Sequence, residues 1–239
     1  MDAWVRKVAV ITDCNNELGL CIIEELSRAG MVAVGFAKSD EIIKTVTDKI
    51  DAGTTATGKI ILCQCDVTDE EQLKAAFEKT IEMHGSIDVL INNADYNIDC
   101  NLSSGDIEDF RNLIDMNIYS LVACIRLAVG AMIEQKSRGH VINMNDLQAY
   151  YLPDSASNNA YIATKSAMTS INEILRQELR YLRANVKVTN IACGCKEGEV
   201  SPSNKVMLKS TDVAKIVTSI LFTPEHLQIH ELLVDSAQE

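Results

Sequence analysis

The sequence predicts an α/β fold built on a doubly wound sheet of seven parallel strands, because seven short apolar runs alternate with stretches of helical periodicity. Such runs are typical of strands buried on both faces of a parallel sheet. The predicted strands occupy residues 8–11, 31–36, 60–65, 87–94, 139–146, 186–191 and 231–234. The predicted helices occupy residues 18–29, 40–51, a stretch after residue 69 that carries Leu73, Phe77 and Ile81, and residues 106–134, 161–183 and 211–221. Helices on both faces of one sheet make a three-layer αβα sandwich.

Length, charge and cysteine content set the broad class of the protein. A chain of 239 residues that is 47% hydrophobic suffices for one core, so we expect a single domain over residues 1–239. The formal net charge of −12 argues against a nucleic-acid partner, because contacts to phosphates need clustered Lys and Arg. We find no leader-like segment and no uninterrupted apolar run of membrane-spanning length, so we expect a cytoplasmic protein that does not span a membrane. The eight cysteines are then expected to be reduced thiols.

The turn between the first strand and the first helix predicts an altered nucleotide site. Residues 12–19 read Thr-Asp-Cys-Asn-Asn-Glu-Leu-Gly and resemble the first turn of the short-chain dehydrogenase/reductase family, Thr-Gly-x-x-x-Gly-x-Gly. Thr12 and Gly19 match this cofactor-binding pattern, whereas Asp13 and Glu17 replace its first two glycines. Glycines let such a turn approach a pyrophosphate at a helix N-terminus, and like charges about 4 Å apart repel by roughly 1 to 4 kcal/mol. We therefore expect the turn to disfavour NAD(P); the alternative is a rearranged turn whose acids point to solvent.

The same resemblance links the ends of the next three strands to the cofactor. Lys38 stands where Rossmann folds select their cofactor, so it is either a relict contact to the 2′-phosphate of NADP or a solvated lysine. Asp66 and Val67 resemble the family segment that holds the adenine. Asn93 and Ala94 belong to a segment that resembles the family's Asn-Asn-Ala-Gly.

The resemblance also implies a catalytic group that is partly retained. Tyr161 and Lys165 match Tyr-x-x-x-Lys, in which the lysine lowers the pKa of a tyrosine base and holds the nicotinamide ribose. Asn117 matches an asparagine that holds a proton-relay water. Asp146 replaces the catalytic serine, and Asp95 replaces the glycine of Asn-Asn-Ala-Gly. An ionised aspartate cannot donate a hydrogen bond to a substrate carbonyl. The alternative for the tyrosine and lysine is retention as helix and interface residues.

Four cysteines and a short lid shape the expectation for a ligand. Cys14, Cys100, Cys193 and Cys195 fall on loops near the expected cleft, where they either line a pocket or act as small apolar residues. We expect no metal, because Cys-x-Cys spacing fits tetrahedral coordination poorly. Only residues 195–207 stand where the family usually has a longer substrate lid. Such a short lid implies a more open or a smaller pocket. A small apolar ligand is one candidate for the cleft.

Two functional hypotheses follow. Among family members the chain resembles the NADP-dependent farnesol dehydrogenases of insects, on residues 161–165, 175–179, 212–214 and 230–233. Because the replacements concentrate in the cofactor and substrate cleft, the first hypothesis is a protein that has lost dehydrogenase activity, needs no cofactor and serves as a ligand-binding, scaffold or structural protein. The second is a working NADP-dependent alcohol dehydrogenase or carbonyl reductase that uses Tyr161, Lys165 and Asn117. The resemblance also implies a homodimer or homotetramer through the two long helices.

Overall fold

A computed structural model describes residues 2–51, 57–152, 159–195 and 207–237. The strands in these ranges are β1 Val8–Ile11, β2 Val32–Ala37, β3 Lys59–Gln64, β4 Val89–Asn92, β5 Gly139–Asp146, β6 Val186–Cys193 and β7 Glu231–Val234. The α-helices are α1 Glu17–Arg28, α2 Asp40–Asp51, α3 Glu70–His84, α4 Ile107–Ile114, α5 Ser120–Glu134, α6 Asn159–Tyr181 and α7 Ser210–Leu221. Single helical turns are Asp2–Trp4, Leu147–Ala149 and the π-helical turn Asp115–Tyr119.

The seven strands pair in parallel in one sheet, in the order β3-β2-β1-β4-β5-β6-β7. The chain builds the sheet outward from β1 in one direction and from β4 in the other. Open α/β sheets bind ligands outside the carboxyl ends of the strands at such a reversal. The predicted fold class is confirmed, and the reversal marks where a site is expected.

Two apolar cores lie on opposite faces of the sheet, because successive strand side chains point to opposite sides. One core contains Val10, Leu90 and Val188 and is covered by α3, α5 and α6. The other contains Ile11 and Ile91 and is covered by α1 and α7. The central strands of the sheet are therefore buried on both faces, which explains why they are apolar runs without alternation.

The observed fourth strand is shorter than the predicted run 87–94. Asp88 is fully buried before the strand, where its carboxylate accepts hydrogen bonds from Lys7 Nζ at 2.9 Å, Val8 N at 2.9 Å and Ser86 Oγ at 2.8 Å. This carboxylate thus joins the start of β4 to the start of β1 through side-chain bonds. The strand ladder begins only after it.

The predicted helix 106–134 forms α4, the π-helical turn and α5 in succession. By length and composition the segment Ile107–Glu134 is apolar enough to cross a membrane, and 50% of its most apolar window is buried inside the protein. A core helix passes the same test, and α5 contributes Leu121, Ile125 and Met132 to the core beneath it.

A chain of buried amides crosses the sheet. Asn92 Nδ2 donates to Asn143 Oδ1 at 2.6 Å, Asn143 Nδ2 donates to Asn172 Oδ1 at 2.8 Å, and Asn172 Nδ2 donates to Asn190 Oδ1 at 3.2 Å. These bonds join β4, β5, α6 and β6. They supply hydrogen-bond partners for amide groups that would be costly to bury without them.

Candidate functional site

The main candidate site is a cleft of about 390 Å³ lined from the carboxyl ends of β1, β4, β5 and β6. Among the described residues, its lining includes four acids, one lysine and three less polar side chains: Asp13, Glu17, Asp95, Asp146, Lys165, Leu18, Met144 and Cys193. Carboxylates therefore outnumber the ammonium group in this part of the lining.

The first turn keeps a backbone that suits glycine. Asp13 has a φ of 52°, in the left-handed region that glycine adopts most easily. At Gly19, an added Cβ would lie 2.6 Å from the Asp13 carbonyl oxygen and 2.8 Å from Cα of Cys14, which is too close for any side chain. The backbone of the turn therefore has a conformation that suits glycine at position 13, where this chain has a carboxylate.

The polar groups of this turn bond to one another. Asn16, which the sequence analysis did not select, caps α1: its Oδ1 accepts from Gly19 N at 2.7 Å and its Nδ2 donates to Asp13 Oδ2 at 3.1 Å. Asn93 Nδ2 donates to the Asp13 carbonyl oxygen at 2.8 Å. Burial raises the pKa of Asp13 above its ordinary value despite the bond from Asn16. The backbone amide of Gly19 thus already has an acceptor.

Glu17 is exposed as the first residue of α1. A carboxylate in the first turn of a helix interacts favourably with the helix dipole. This replacement therefore has a local structural benefit that is independent of any ligand.

Thr12 braces β1 against the end of β4. Its buried hydroxyl oxygen accepts from Asn93 N at 2.9 Å and from Ala94 N at 3.0 Å. Thr12, Asn93 and Ala94, which match the family pattern, thus join the ends of β1 and β4 through hydrogen bonds to one another.

Lys38, Asp66 and Val67 lie at the ends of β2 and β3. Lys38 Nζ lies 2.8 Å from Asp66 Oδ2, with 66% of the lysine side chain exposed. Burial raises the pKa of Asp66, but hydrogen bonds from Lys38 and Thr68 outweigh this effect and hold the pKa below its ordinary value. Val67 is buried in the core. The lysine therefore has a carboxylate partner, and a phosphate would have to compete with that pair.

Tyr161 and Lys165 share a partner that the sequence analysis did not foresee. Both residues are buried on α6, and 2% of the Lys165 side chain is exposed. Lys165 Nζ lies 3.0 Å from Asp95 Oδ1, and the Tyr161 hydroxyl lies 3.0 Å from Asp95 Oδ2 and 3.2 Å from Asp146 Oδ2. Tyr161 thus contacts both acids that replace family residues at this point, and Lys165 contacts one of them, Asp95. Asp95 was selected only as a glycine replacement, because its contacts depend on the path of the loop after β4.

Asn117 fastens that loop to the rest of the site. It lies buried in the π-helical turn Asp115–Tyr119. Its side chain donates to the Tyr96 carbonyl oxygen and accepts from Tyr96 N, both at 2.9 Å, and it donates to Thr164 Oγ1 at 3.0 Å. Asn117 therefore reaches α6 through Thr164 and holds the residue that follows Asp95.

Asp146 ends β5 as a hydrogen-bond acceptor. Its Oδ1 accepts from Gln148 N at 2.8 Å, in addition to the contact of Oδ2 with Tyr161. The preceding Asn145, missed in the sequence, donates to the Lys165 carbonyl oxygen and to Thr169 Oγ1, both at 3.2 Å. The signal that could have found it is a second asparagine in a buried strand, because a buried amide needs partners.

The cysteines near the cleft behave as buried thiols. Burial raises the pKa of the Cys14 thiol to about 12. Cys100 and Cys193 are buried and Cys195 is half-buried, and Cys193 lines the cleft. Across the described ranges, no group of three or more His, Cys, Asp or Glu side chains is arranged to hold a metal ion. The predicted short lid lies largely outside the described residues, at 196–206.

Comparison with known proteins decides the family. A family profile described as short chain dehydrogenase matches residues 7–207. The chain belongs to the short-chain dehydrogenase/reductase family. The family resemblance read from the sequence is therefore confirmed, while the roles that it implies for single site residues remain predictions.

Members of this family from animals are similar along the whole chain. The chain is 32% identical over 245 residues to the farnesol dehydrogenase of Aedes aegypti, a match that covers 100% of this chain and 99% of that protein. It is 32% identical over 248 residues to dehydrogenase/reductase SDR family member 11 of Gallus gallus, which covers 97% of this chain and 96% of that one.

A solved short-chain oxidoreductase has the same architecture. The metagenomic enzyme, crystallised in complex with NADP, superposes with a TM-score of 0.82 at 26% identity and covers 98% of this chain and 99% of its own. This family member and the present chain thus share their fold over almost their full lengths.

Proposed function

We propose that this short-chain dehydrogenase/reductase has lost NAD(P)-dependent dehydrogenase activity and serves as a ligand-binding, scaffold or structural protein. The observation that carries the proposal is the first turn, in which Asp13 brings a carboxylate to the cleft and Asn16 occupies the Gly19 amide. Helix N-termini bind phosphates through such amides. The residues of this turn therefore do not fit a dinucleotide pyrophosphate.

Charge repulsion gives the size of the expected effect. Asp13 and Glu17 both line the cleft at the N-terminus of α1. Repulsion of roughly 1 to 4 kcal/mol for each close pair of like charges compares with the roughly 4 kcal/mol that separates micromolar from millimolar affinity. Repulsion by the two acids is therefore large enough to weaken NADP(H) binding from micromolar to millimolar affinity.

The end of β5 supports the same proposal. Where the family resemblance implies a serine donor, Asp146 accepts from Gln148 N and from the Tyr161 hydroxyl. A developing oxyanion is stabilised by hydrogen-bond donors and repelled by a carboxylate.

A second candidate function is a working NADP-dependent alcohol dehydrogenase or carbonyl reductase. The observation that favours it is that Tyr161 and Lys165 line one cleft, with Asn117 bonded to Thr164 on the same helix. Similar proteins are named as dehydrogenases, including the Aedes aegypti farnesol dehydrogenase. This candidate requires the first turn to release Asp13 from Asn16 when NADP(H) binds.

Titration with NADPH separates the two functions. Calorimetry or NADPH fluorescence on the full chain is expected to show no binding below millimolar concentration. The metagenomic oxidoreductase solved with NADP serves as the positive control. Micromolar affinity for the present chain would exclude the first function and support the second.

The cleft is also proposed as the site of a small ligand with apolar character. Leu18, Met144 and Cys193 supply its less polar lining. Native mass spectrometry of protein purified from its natural source is expected to reveal a bound small molecule. Its absence would leave scaffold and structural roles as the remaining forms of the proposal.

We propose a homodimer or homotetramer formed through the long helices. The support for it is a set of exposed apolar side chains on the π-helical turn, α5 and α6: Tyr119, Val122, Ile133, Ile174 and Tyr181. Changing Ile174→Glu is expected to shift the sedimentation coefficient towards the monomer, whereas Met83→Glu on α3 should leave it unchanged. Equal sedimentation of both variants and the wild type would argue against these helices as the interface.

A further inference from the structure

Asp95 makes contacts that single it out among the acids of the cleft. Its two carboxylate oxygens bind different groups, with Oδ1 at 3.0 Å from Lys165 Nζ and Oδ2 at 3.0 Å from the Tyr161 hydroxyl. The Lys165 side chain is 2% exposed, whereas that of Asp95 is 36% exposed. An exposed carboxylate therefore supplies the counter-charge for a buried ammonium group.

The loop that carries Asp95 is fixed on both sides of it. The preceding Ala94 donates its N–H to Thr12 Oγ1 at 3.0 Å. The following Tyr96 is held by Asn117 through both its N–H and its carbonyl oxygen. Asp95 is thus presented to α6 by a fastened segment, and its contacts do not depend on a freely moving side chain at a loop tip.

These contacts change what the two residues of α6 can do. An unpaired ammonium close to a tyrosine favours the tyrosinate, because opposite charges attract. A carboxylate bound to the same ammonium cancels that effect. Ionisation of Tyr161 would also turn its hydrogen bonds to Asp95 and Asp146 into contacts between like charges.

We propose that Asp95 makes an autoinhibitory contact that occupies Lys165 and keeps the Tyr161 hydroxyl protonated. The inference rests on the proposed loss of dehydrogenase activity and extends it from cofactor binding to the acid–base pair. Among the described residues, the charged groups near the tyrosine side chain include Asp95 from the loop after β4 and Asp146 from β5, which contact its hydroxyl, and Lys165 from α6, whose Nζ lies 5.4 Å from the ring centre. After burial as the main cause, the charge of Asp95 also raises the pKa of Asp13 in the first turn.

Tyrosine ionisation tests the proposal without any cofactor. The absorbance of tyrosinate near 295 nm is followed against pH, and the signal of Tyr161 is isolated by subtracting a Tyr161→Phe version of each variant. In Asp95→Asn, Tyr161 should ionise at a pH at least about one unit lower than in the wild type, because Lys165 is released to stabilise the tyrosinate. Adding Lys165→Met should make this change smaller, because only the direct contact between Asp95 and the tyrosine hydroxyl is then removed. Asp99→Asn, which removes the same charge from the same loop, is the matched control.

Three results would overturn the autoinhibitory contact. They are an unchanged titration of Tyr161 in Asp95→Asn, an equal change in Asp99→Asn, or a change that is undiminished when Lys165→Met is added. None of them depends on NADPH. Conversely, micromolar NADPH binding by the wild type would overturn the proposed function and leave this measurement valid.

For variants that unfold at a lower pH than that at which the tyrosine ionises, a double-mutant cycle at neutral pH tests the contact between Asp95 and Lys165. We expect Asp95→Asn and Lys165→Met each to raise the equilibrium constant for urea unfolding at least about tenfold, because each change leaves a charge without its partner. The double variant should lose less stability than the sum of the two single changes. Additive effects would show that the two side chains are not coupled and would contradict the proposal.

Discussion

At the scale of single residues, the first turn separates backbone shape from side-chain charge. Asp13 keeps a φ of 52°, where an aspartate is tolerated better than most side chains. Gly19 stays because its neighbours leave no room for a Cβ. The sequence predicted the added charge at position 13, but not that Asn16 would bind this carboxylate, because the hydrogen bond depends on the local path of the turn.

Removing both acids of the turn should restore NADP(H) binding. We expect Asp13→Gly with Glu17→Gly to bind NADPH at least about tenfold more tightly than the wild type, since each removed charge contributes roughly 1 kcal/mol or more of repulsion. Glycine fits position 13 without strain, because the φ there is already positive. Isothermal titration calorimetry measures the affinity.

The matched control for this prediction makes the same charge change elsewhere. Glu82→Gln with Glu134→Gln removes two exposed acids near the ends of α3 and α5. Equal affinities of the two double variants would show that the turn is not the obstacle, and Asp95 would be the next position to change.

Restored binding alone should not restore turnover, because Asp146 cannot donate to a carbonyl. In a background with Asp13→Gly, Glu17→Gly and Asp95→Gly, adding Asp146→Ser should raise carbonyl-reductase activity at least about tenfold through the new donor. A serine hydroxyl can still accept from Gln148 N, so the turn after β5 is preserved. The assay is NADPH oxidation with farnesal or a small aromatic ketone. Equal rates with aspartate and serine at this position would show that the end of β5 has another role.

At the scale of elements, periodicity predicts where helices and strands lie, but not how side chains alter them. The run 106–134 predicts one helix, whereas the π-helical turn Asp115–Tyr119 divides it. That turn carries Asn117, whose partners Tyr96 and Thr164 come from other parts of the chain. Such long-range bonds leave no periodic signal in the sequence. The predicted run 87–94 likewise gives no signal for the side-chain contacts of Asp88, which precedes the observed strand Val89–Asn92.

Two glycines outside the cleft, one after the end of a helix and one inside a helix, test local rules of helix stability. Gly85 follows α3 with a φ of 81°, and nothing lies within 4 Å of an added Cβ. Gly85→Ala should therefore lower the free energy of unfolding by about 1 kcal/mol through backbone strain alone. Gly130 lies inside α5, also with open space around an added Cβ, so Gly130→Ala should raise the free energy by roughly 0.5 to 1 kcal/mol. Urea denaturation measures the free energy of unfolding of both variants. A Gly85→Ala variant more stable than the wild type would contradict the predicted backbone strain.

At the scale of the whole molecule, the alternation of runs predicts the sheet and its three layers, because the central strands β1, β4, β5 and β6 are apolar runs buried on both faces. The cleft is harder to predict. Asp95 and Tyr161 are 66 residues apart in the sequence yet share a hydrogen bond. The sequence indicated that acids replace family residues near this edge of the sheet. Only the fold brings Asp95, Asp146 and Lys165 around one hydroxyl.

The pH dependence of stability should carry a contribution from His140. Burial, and then the charges of Lys187 and Arg138, lower the pKa of this histidine from 6.5 to about 3. Between these values the unfolded chain binds a proton that the folded chain excludes, so stability falls as the pH falls through this window, by up to roughly 1.4 kcal/mol per pH unit. Urea unfolding of the wild type and His140→Gln between pH 4 and 7 should show a shallower loss in the variant. The exposed His226→Gln should keep the wild-type slope, and identical slopes for all three proteins would argue against the assignment.

The chain of buried amides has a consequence for evolutionary inference. Asn143 and Asn172 each donate to one neighbour and accept from another, so replacing either removes one hydrogen bond from the buried amide on each side. Purifying selection for folding alone would therefore retain these asparagines in descendants that perform no chemistry. Asn92, which stands in a segment used to recognise the family, is tied into the same chain. The presence of Asn92 in a sequence therefore indicates common ancestry with the family and is no evidence that the protein catalyses a reaction.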